Sequence, residues 1–308
     1  MPLEPPATVL SGAVPGADLV LTPEALSFVA RLARTFTPRV RDVLARRRDR
    51  QRAWDAGRRP TFDADAAAVR EGDWVCAPLP LDLIDRRVEI TGPPEPRRVL
   101  HALASGANVY MADFEDALAP TFENLVGGQV ALHAAARRTL TARGSDGRLL
   151  SVPASPAVLM MRPRGWHLWE RSVSVDNQPV PAALFDAGLY MFHNAHALQA
   201  HQSGPYLYLP KLEDAHEARL WADILGRAQS WLNLGEGSVR VTVLIETFPA
   251  LFAMEEILHA LRSFAAGLNL GRWDLLFSRI KVTAEDPGAL IPDRESVTMA
   301  QTFLAAAT

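Results

Sequence analysis

Residues 108–113 read NVYMAD, a short apolar run that closes on a carboxylate and continues into Phe114-Glu115-Asp116. Four further runs of the same kind follow: 157–162 (AVLMMR), 206–210 (YLYLP), 239–246 (VRVTVLIE) and 274–281 (DLLFSRIK). Helical patterns lie between them, near 120–138, 181–201, 213–231 and 249–265. Strands that are apolar throughout, without alternation, are buried on both faces, as in a parallel sheet covered by helices. Alternation of such strands with helices predicts the α/β class, as an α/β barrel or a doubly wound sheet. No Gly-x-Gly-x-x-Gly follows the first strand, which argues against a dinucleotide-binding version.

Upstream of this pattern the chain changes character. Residues 1–21 read as an irregular arm, and Thr22-Pro23 and Thr37-Pro38 each give a helix-start signal, predicting two helices in succession. The arginine-rich stretch from Arg46 to Arg52 is expected to be a solvated helix face, because Asp49 and Asp55 interrupt its charge. Residues 60–95 are turn-rich and end in Thr91-Gly92-Pro93-Pro94, which sets the expected domain boundary: 1–95 before it, 96–308 after it.

The bulk properties narrow the function classes. Net charge is −3, from 32 basic and 35 acidic residues, so no bulk field draws the chain to nucleic acid or to an anionic membrane. Nearly all the basic residues are arginine; Lys211 and Lys281 are the only lysines. One cysteine, Cys76, excludes an intrachain disulfide and a cysteine-based metal site, and fits a reducing cytoplasm. The first residues, MPLEPPATVL, lack the regions of a signal peptide, and no apolar run approaches the roughly 18 residues of a membrane span.

The strand ends carry the chemistry. The first strand runs into Asp113, Glu115 and Asp116, the second into Arg162-Pro163-Arg164-Gly165, the third into Lys211 and Glu213, and the fourth into Glu246-Thr247. In a barrel such ends converge on one mouth, where active sites are built. Each residue also has a structural reading: Asp116 or Thr247 as a helix cap, Glu213 as a first-turn acid, Arg162 as an ion-pair partner. Together, carboxylates and an arginine suit a hard cation such as Mg²⁺ and a small oxoacid, with an enolate as intermediate. His193 and His196, three residues apart on a predicted helix, are read as core or interface residues rather than metal ligands.

Several segments resemble malate synthase of the shorter bacterial and plant type, the A isoform family. They are RVEITGP from Arg87, MADFEDALAP from Met111, RPRGWHL from Arg162, GPYLYLPK from Gly204, LIETFP from Leu244, GLNLGRWD from Gly267 and PDRESVTM from Pro292. The resemblance runs in order from about residue 20 to the end. It implies a helical N-terminal clasp over 1–95, the first part of a TIM (β/α)8 barrel over 96–308, and a C-terminal helical domain that this chain does not include. It also implies Mg²⁺-dependent condensation of acetyl-CoA with glyoxylate to malate and CoA, the malate-forming step of the glyoxylate bypass. Carried over by motif, the catalytic arginine is Arg162, and the metal carboxylates are Glu246 and Asp274. Glyoxylate is expected against the backbone of Gly271, Arg272, Trp273 and Asp274, with Glu115 and Asp116 near the metal but outside its direct ligands.

Two expectations follow from the match. The family's catalytic aspartate belongs to the C-terminal domain and has no counterpart before Thr308. Five strands of an eight-stranded barrel leave two open sheet edges, so the chain is expected to be poorly stable alone or to assemble, with a C-terminal half or with itself. The competing readings are a Mg²⁺-dependent acyl-CoA lyase resembling the citrate lyase β subunit, and an inactive fragment acting only in assembly. The GRWD segment and the clasp favour malate synthase.

Overall fold

The computed structural model describes residues 5–298. The lead segment holds strand β1 (Thr8–Val9), helices α1 (Ala17–Val20), α2 (Pro23–Asp55) and α3 (Ala67–Arg70), then strand β2 (Glu89–Gly92) and helix α4 (Pro96–Leu103). Next come β3 (Val109–Asp113), α5 (Phe122–Ala136), β4 (Thr141–Arg143), β5 (Leu149–Ser151), β6 (Val158–Arg162), β7 (Trp169–Val175), β8 (Gln178–Pro181) and α6 (Ala182–Ala200). The remainder alternates β9 (Tyr206–Leu209), α7 (Ala215–Trp231), β10 (Val241–Ile245), α8 (Met254–Ala260), β11 (Ala265–Leu270) and α9 (Arg272–Val282).

The fold divides into two compact units. The residues up to Pro38, Pro78–Leu209 and Ile224–Val241 form one; Arg39–Ala77, Pro210–Asp223 and the residues from Thr242 on form the other. In the first, β2, β3, β6 and β9 pair in parallel, with Glu89 beside Val109, Asp113 beside Arg162 and Met161 beside Leu207. The sheet continues in the order β2-β3-β6-β9-β10-β11. Strand β9 is buried at all four positions and β10 at all five, which is why both read as unbroken apolar runs. Helix α6 buries thirteen residues, including Leu184, Phe185, Leu189 and Tyr190.

The α/β class expected from the sequence holds, with three differences in detail. Among the described residues the sheet has six strands rather than five, because β2 lies inside the segment read as turn-rich lead; its residues Glu-Ile-Thr-Gly are short and only half-buried, so no apolar run marks it. Residues 274–281 are not a strand but part of helix α9, and the strand is β11, just before. Leu275, Leu276 and Val282 face inward while Phe277 and Ile280 are exposed, a helical period inside an apolar run that resembles a strand when read linearly. The two helices expected at Thr22-Pro23 and Thr37-Pro38 are one, α2, which runs 33 residues through Pro38. Its buried stripe, Val29, Leu32, Ala33, Phe36, Val40 and Val43, keeps helical spacing across the proline and outweighs the one backbone hydrogen bond that proline removes.

The sequence reading also missed a hairpin. Strands β7 and β8 turn through Asp176-Asn177, both at positive φ (51° and 60°), and β7 also pairs with β1. Adjacent left-handed residues suit the right-handed twist of hairpin strands, and Asp and Asn tolerate them. Among the described residues, no helix is long and apolar enough to cross a membrane.

Candidate active site

In the first unit, parallel register puts Asp113 and Arg162 side by side at the carboxyl ends of β3 and β6. Arg162 Nε donates to Asp113 Oδ1 at 2.8 Å, and its Nη2 donates to Oδ2. Asp113 also accepts the backbone N–H groups of Glu115 and Ala117, both at 2.9 Å, and of Asp116 at 3.2 Å. The carboxylate therefore folds the DFEDA segment over itself while clamping the guanidinium, a bidentate pairing suited to arginine. Arg162 further approaches Asp116 at 3.1 Å and Glu115 at 3.9 Å. Glu115 is held in turn by the Gly165 N–H at 3.1 Å. A side chain at Gly165 would collide with it: an added Cβ would lie 2.8 Å from Glu115 Oε1.

The second arginine of the RPRG motif does something different. Arg164, 3% exposed, donates to Asp186 from both Nε and Nη2 at 2.8 Å and to Glu170 at 3.0 Å. Burial opposes its charge, but Asp186 and Glu170 outweigh burial and raise its pKa. Arg164 is thus fully consumed in fastening β6 to α6 and β7.

In the second unit, Glu246, Lys211, Gly271 and Asp274 form a compact group. Glu246, 1% exposed, accepts the Lys211 backbone N–H at 2.9 Å. The Lys211 Nζ lies 3.1 Å from Asp274 Oδ2 and 3.7 Å from Glu246 Oε1, so both carboxylates face one cation. Gly271 makes room for this: an added Cβ would lie 2.6 Å from Glu246 Cβ and 2.7 Å from its Oε2. The Gly271 N–H, expected to face an oxoacid, instead donates to Ile245 O at 3.1 Å, continuing the strand pairing. Arg272, Trp273 and Asp274 open α9, the part of a helix whose N–H groups have no intrahelical acceptor, and Arg272 lies 4.2 Å over the Trp273 ring. Thr247 is structural, as its capping reading has it: its hydroxyl donates to Leu212 O at 2.6 Å and accepts from Ala250 N at 3.4 Å.

The arginine stretch on α2 is only partly the solvated face expected. Arg48 and Arg52 are exposed, but Arg47 and Arg50 reach an acidic group at the start of α7. Arg47 donates to Glu217 at 2.7 and 2.6 Å, and Arg50 to Glu213 at 2.8 Å and to Asp214. Glu213 is therefore an ion-network member rather than a first-turn acid. The α7 cap is Asp214, which accepts from His216 N at 2.8 Å and Glu217 N at 3.0 Å. Burial raises the Glu217 pKa, with Arg47 opposing. Of the helical histidines, His193 is half-buried with Nε2 2.7 Å from Val20 O, whereas His196 is exposed, not a core residue, with Nε2 3.1 Å from Leu232 O.

The predicted residues thus fall into two groups, Arg162 with Glu115 and Asp116, and Glu246 with Gly271 and Asp274. Asp113 and Lys211 were read from the sequence as polar strand ends and were given no role in the site. Asp113 was legible as a charged strand end opposite another charged strand end. Lys211 was legible as a rare lysine in an arginine-rich chain.

Comparison with known proteins identifies the family. The family model for the malate synthase N-terminal domain matches residues 6–67, and that for the malate synthase TIM barrel domain matches 158–308. The malate synthases of Myxococcus xanthus and Oryza sativa are each 52% identical over 92% of this chain. Malate synthase A of Escherichia coli is 45% identical over the same share. The chain spans about half the length of these relatives, 53%, 51% and 54% respectively. A solved citrate synthase, SbnG, gives a TM-score of 0.35 at 15% identity over 62% of each chain, too distant to bear on the fold. With domain models of one family matching both of its ends and relatives at half identity along nearly its whole length, the chain belongs to the malate synthase family.

Proposed function

We propose that this chain carries the metal- and glyoxylate-binding part of a malate synthase, acting in the cytoplasm on acetyl-CoA and glyoxylate. The observation that carries the reading is the convergence of Glu246 and Asp274 on one cation, the Lys211 ammonium. Two carboxylates that already share a cation form a hard-oxygen donor set of the kind Mg²⁺ takes, with further positions left for water and substrate oxygens. Glu246 and Asp274 would hold the ion. When bound, it supplies Lewis-acid polarisation of the glyoxylate aldehyde and neutralises charge developing on oxygen.

The chain's own residues do the rest. Arg162, locked by Asp113, offers a preorganised positive charge for the glyoxylate carboxylate and for the enolate oxygen of the acetyl group. The first turn of α9, from Arg272 to Asp274, offers N–H groups and the positive end of a helix dipole to an anion. Gly165 and Gly271 allow the backbone close enough to orient Glu115 and Glu246. Asp113 is committed to Arg162 and to three backbone N–H groups, so it is not the base that takes the acetyl methyl proton. We assign that base to none of the described residues and, in keeping with the family resemblance, propose an aspartate of the family's C-terminal domain for it.

Glyoxylate-dependent release of CoA thiol from acetyl-CoA, assayed with the family's C-terminal half supplied, tests the reaction. Thiol release that requires both glyoxylate and Mg²⁺ supports it. Cleavage of malyl-CoA without any condensation would favour an acyl-CoA lyase instead.

A further inference from the structure

Lys211 follows β9 with φ at 54°, the left-handed region that costs a lysine about 1 kcal/mol or more relative to glycine. The surroundings hold it there from both sides. Its carbonyl accepts from Arg47 Nη2 at 2.6 Å, and Arg47 is itself fixed by Glu217. Its N–H donates to Glu246 Oε1 at 2.9 Å. The twist aims the side chain so that Nζ comes 3.1 Å from Asp274 Oδ2 while staying 3.7 Å from Glu246. Lys211 and Lys281 are the only lysines among 32 basic residues, so an arginine would be the ordinary choice. A guanidinium would grip one carboxylate in a fork, whereas an ammonium is a compact point charge that can be displaced.

We propose that Lys211 is a built-in counter-cation for the two metal carboxylates: its backbone positions Glu246, and its ammonium competes with the divalent ion for Glu246 and Asp274. This rests on the assignment of those two residues as metal ligands. Glu246 is 1% exposed, and a carboxylate so buried is costly without a positive partner. The ammonium supplies that partner in the metal-free protein. It also makes metal uptake an exchange of one cation for another, which lowers net affinity and keeps the pair at binding separation.

Isothermal titration of Mg²⁺ into the EDTA-treated and dialysed chain, at fixed ionic strength, tests this with Lys211→Met and Lys211→Arg. Lys211→Met keeps the side-chain length and removes the charge. It should bind Mg²⁺ roughly fivefold or more tightly, and its metal-free unfolding midpoint should fall. Saturating Mg²⁺ should bring the two midpoints together. Lys211→Arg keeps the charge and should bind Mg²⁺ no more tightly than the unsubstituted chain, so it remains decisive if the Met variant does not fold. A merely structural lysine predicts equal or weaker Mg²⁺ binding in Lys211→Met, and that result overturns the proposal, as does tighter binding in Lys211→Arg. Failure of the metal assignment looks different: Glu246→Ala would then bind Mg²⁺ as the unsubstituted chain does, or neither would bind.

Discussion

Asp113 and Arg162 are register partners on neighbouring parallel strands, and the fork between them is closed at 2.8 Å from Nε to Oδ1. Strand pairing, rather than a loop, thus sets the position of the residue proposed to bind glyoxylate. Asp113→Asn keeps the shape and removes the charge, leaving a buried guanidinium that has lost its main partner. We expect a loss of about 3–5 kcal/mol in urea unfolding, with glyoxylate affinity falling alongside. Unchanged stability would show that the pair is not the anchor described.

The two arginines of the RPRG motif should separate cleanly. Arg164 is consumed by Asp186 and Glu170, so Arg164→Lys should lower the unfolding midpoint while leaving glyoxylate affinity in the folded protein within about twofold. Arg162→Lys should weaken glyoxylate binding by about tenfold or more, because the single ammonium cannot hold Asp113 and a substrate carboxylate in forks at once. Equal effects of the two changes on glyoxylate affinity would refute the division of labour.

Gly271 is predicted to be irreplaceable for spatial reasons, since its φ is negative and an added Cβ would meet Glu246 Cβ at 2.6 Å. Gly271→Ala should displace the carboxylate, weaken Mg²⁺ binding by about tenfold and cost about 1–3 kcal/mol of stability. Titration calorimetry with a parallel denaturation curve measures both.

Stability should depend on His133. Burial, with smaller contributions from Arg137 and His193, pulls its pKa from 6.5 down to about 4. The folded chain therefore holds this histidine neutral where the unfolded chain protonates it. The sign follows: the stabilising contribution is complete above the unfolded value near 6.5 and is lost as pH falls toward 4. Replacing His133 with Gln should flatten the stability-against-pH curve across that window, read from urea midpoints. An unaltered slope would mean that other groups carry it.

Much of this architecture was readable from the chain, for identifiable reasons. Strands β3, β6, β9 and β10 are buried on both faces, so burial alone writes them as apolar runs. Arg162 and Glu246 stood out because charged groups next to such runs need partners, whereas Asp274 came only from the resemblance of its Gly-Arg-Trp-Asp segment to malate synthase. What could not be read depended on three-dimensional neighbours. The stretch Asp274-Leu-Leu-Phe-Ser-Arg-Ile-Lys281 is apolar enough for a strand, and only its packing, with Leu275 and Leu276 inward and Phe277 outward, makes it a helix. Arg47 looks like any solvated arginine until Glu217 and the Lys211 carbonyl are found around it. Strand β2 has four residues and little apolar content, so its place in the sheet comes from pairing with β3.

Arg162 is proposed to take glyoxylate, and Glu246 and Asp274 to hold Mg²⁺. The most direct measurement is calorimetric titration of glyoxylate into the 308-residue chain, with and without Mg²⁺, for the unsubstituted protein and for Arg162→Ala, Glu246→Ala and Asp274→Ala. Glyoxylate binding is expected to require Mg²⁺ and to be lost in all three variants while circular dichroism shows them folded. Glyoxylate binding that is indifferent to Mg²⁺, or that survives in folded Glu246→Ala and Asp274→Ala, would contradict these assignments.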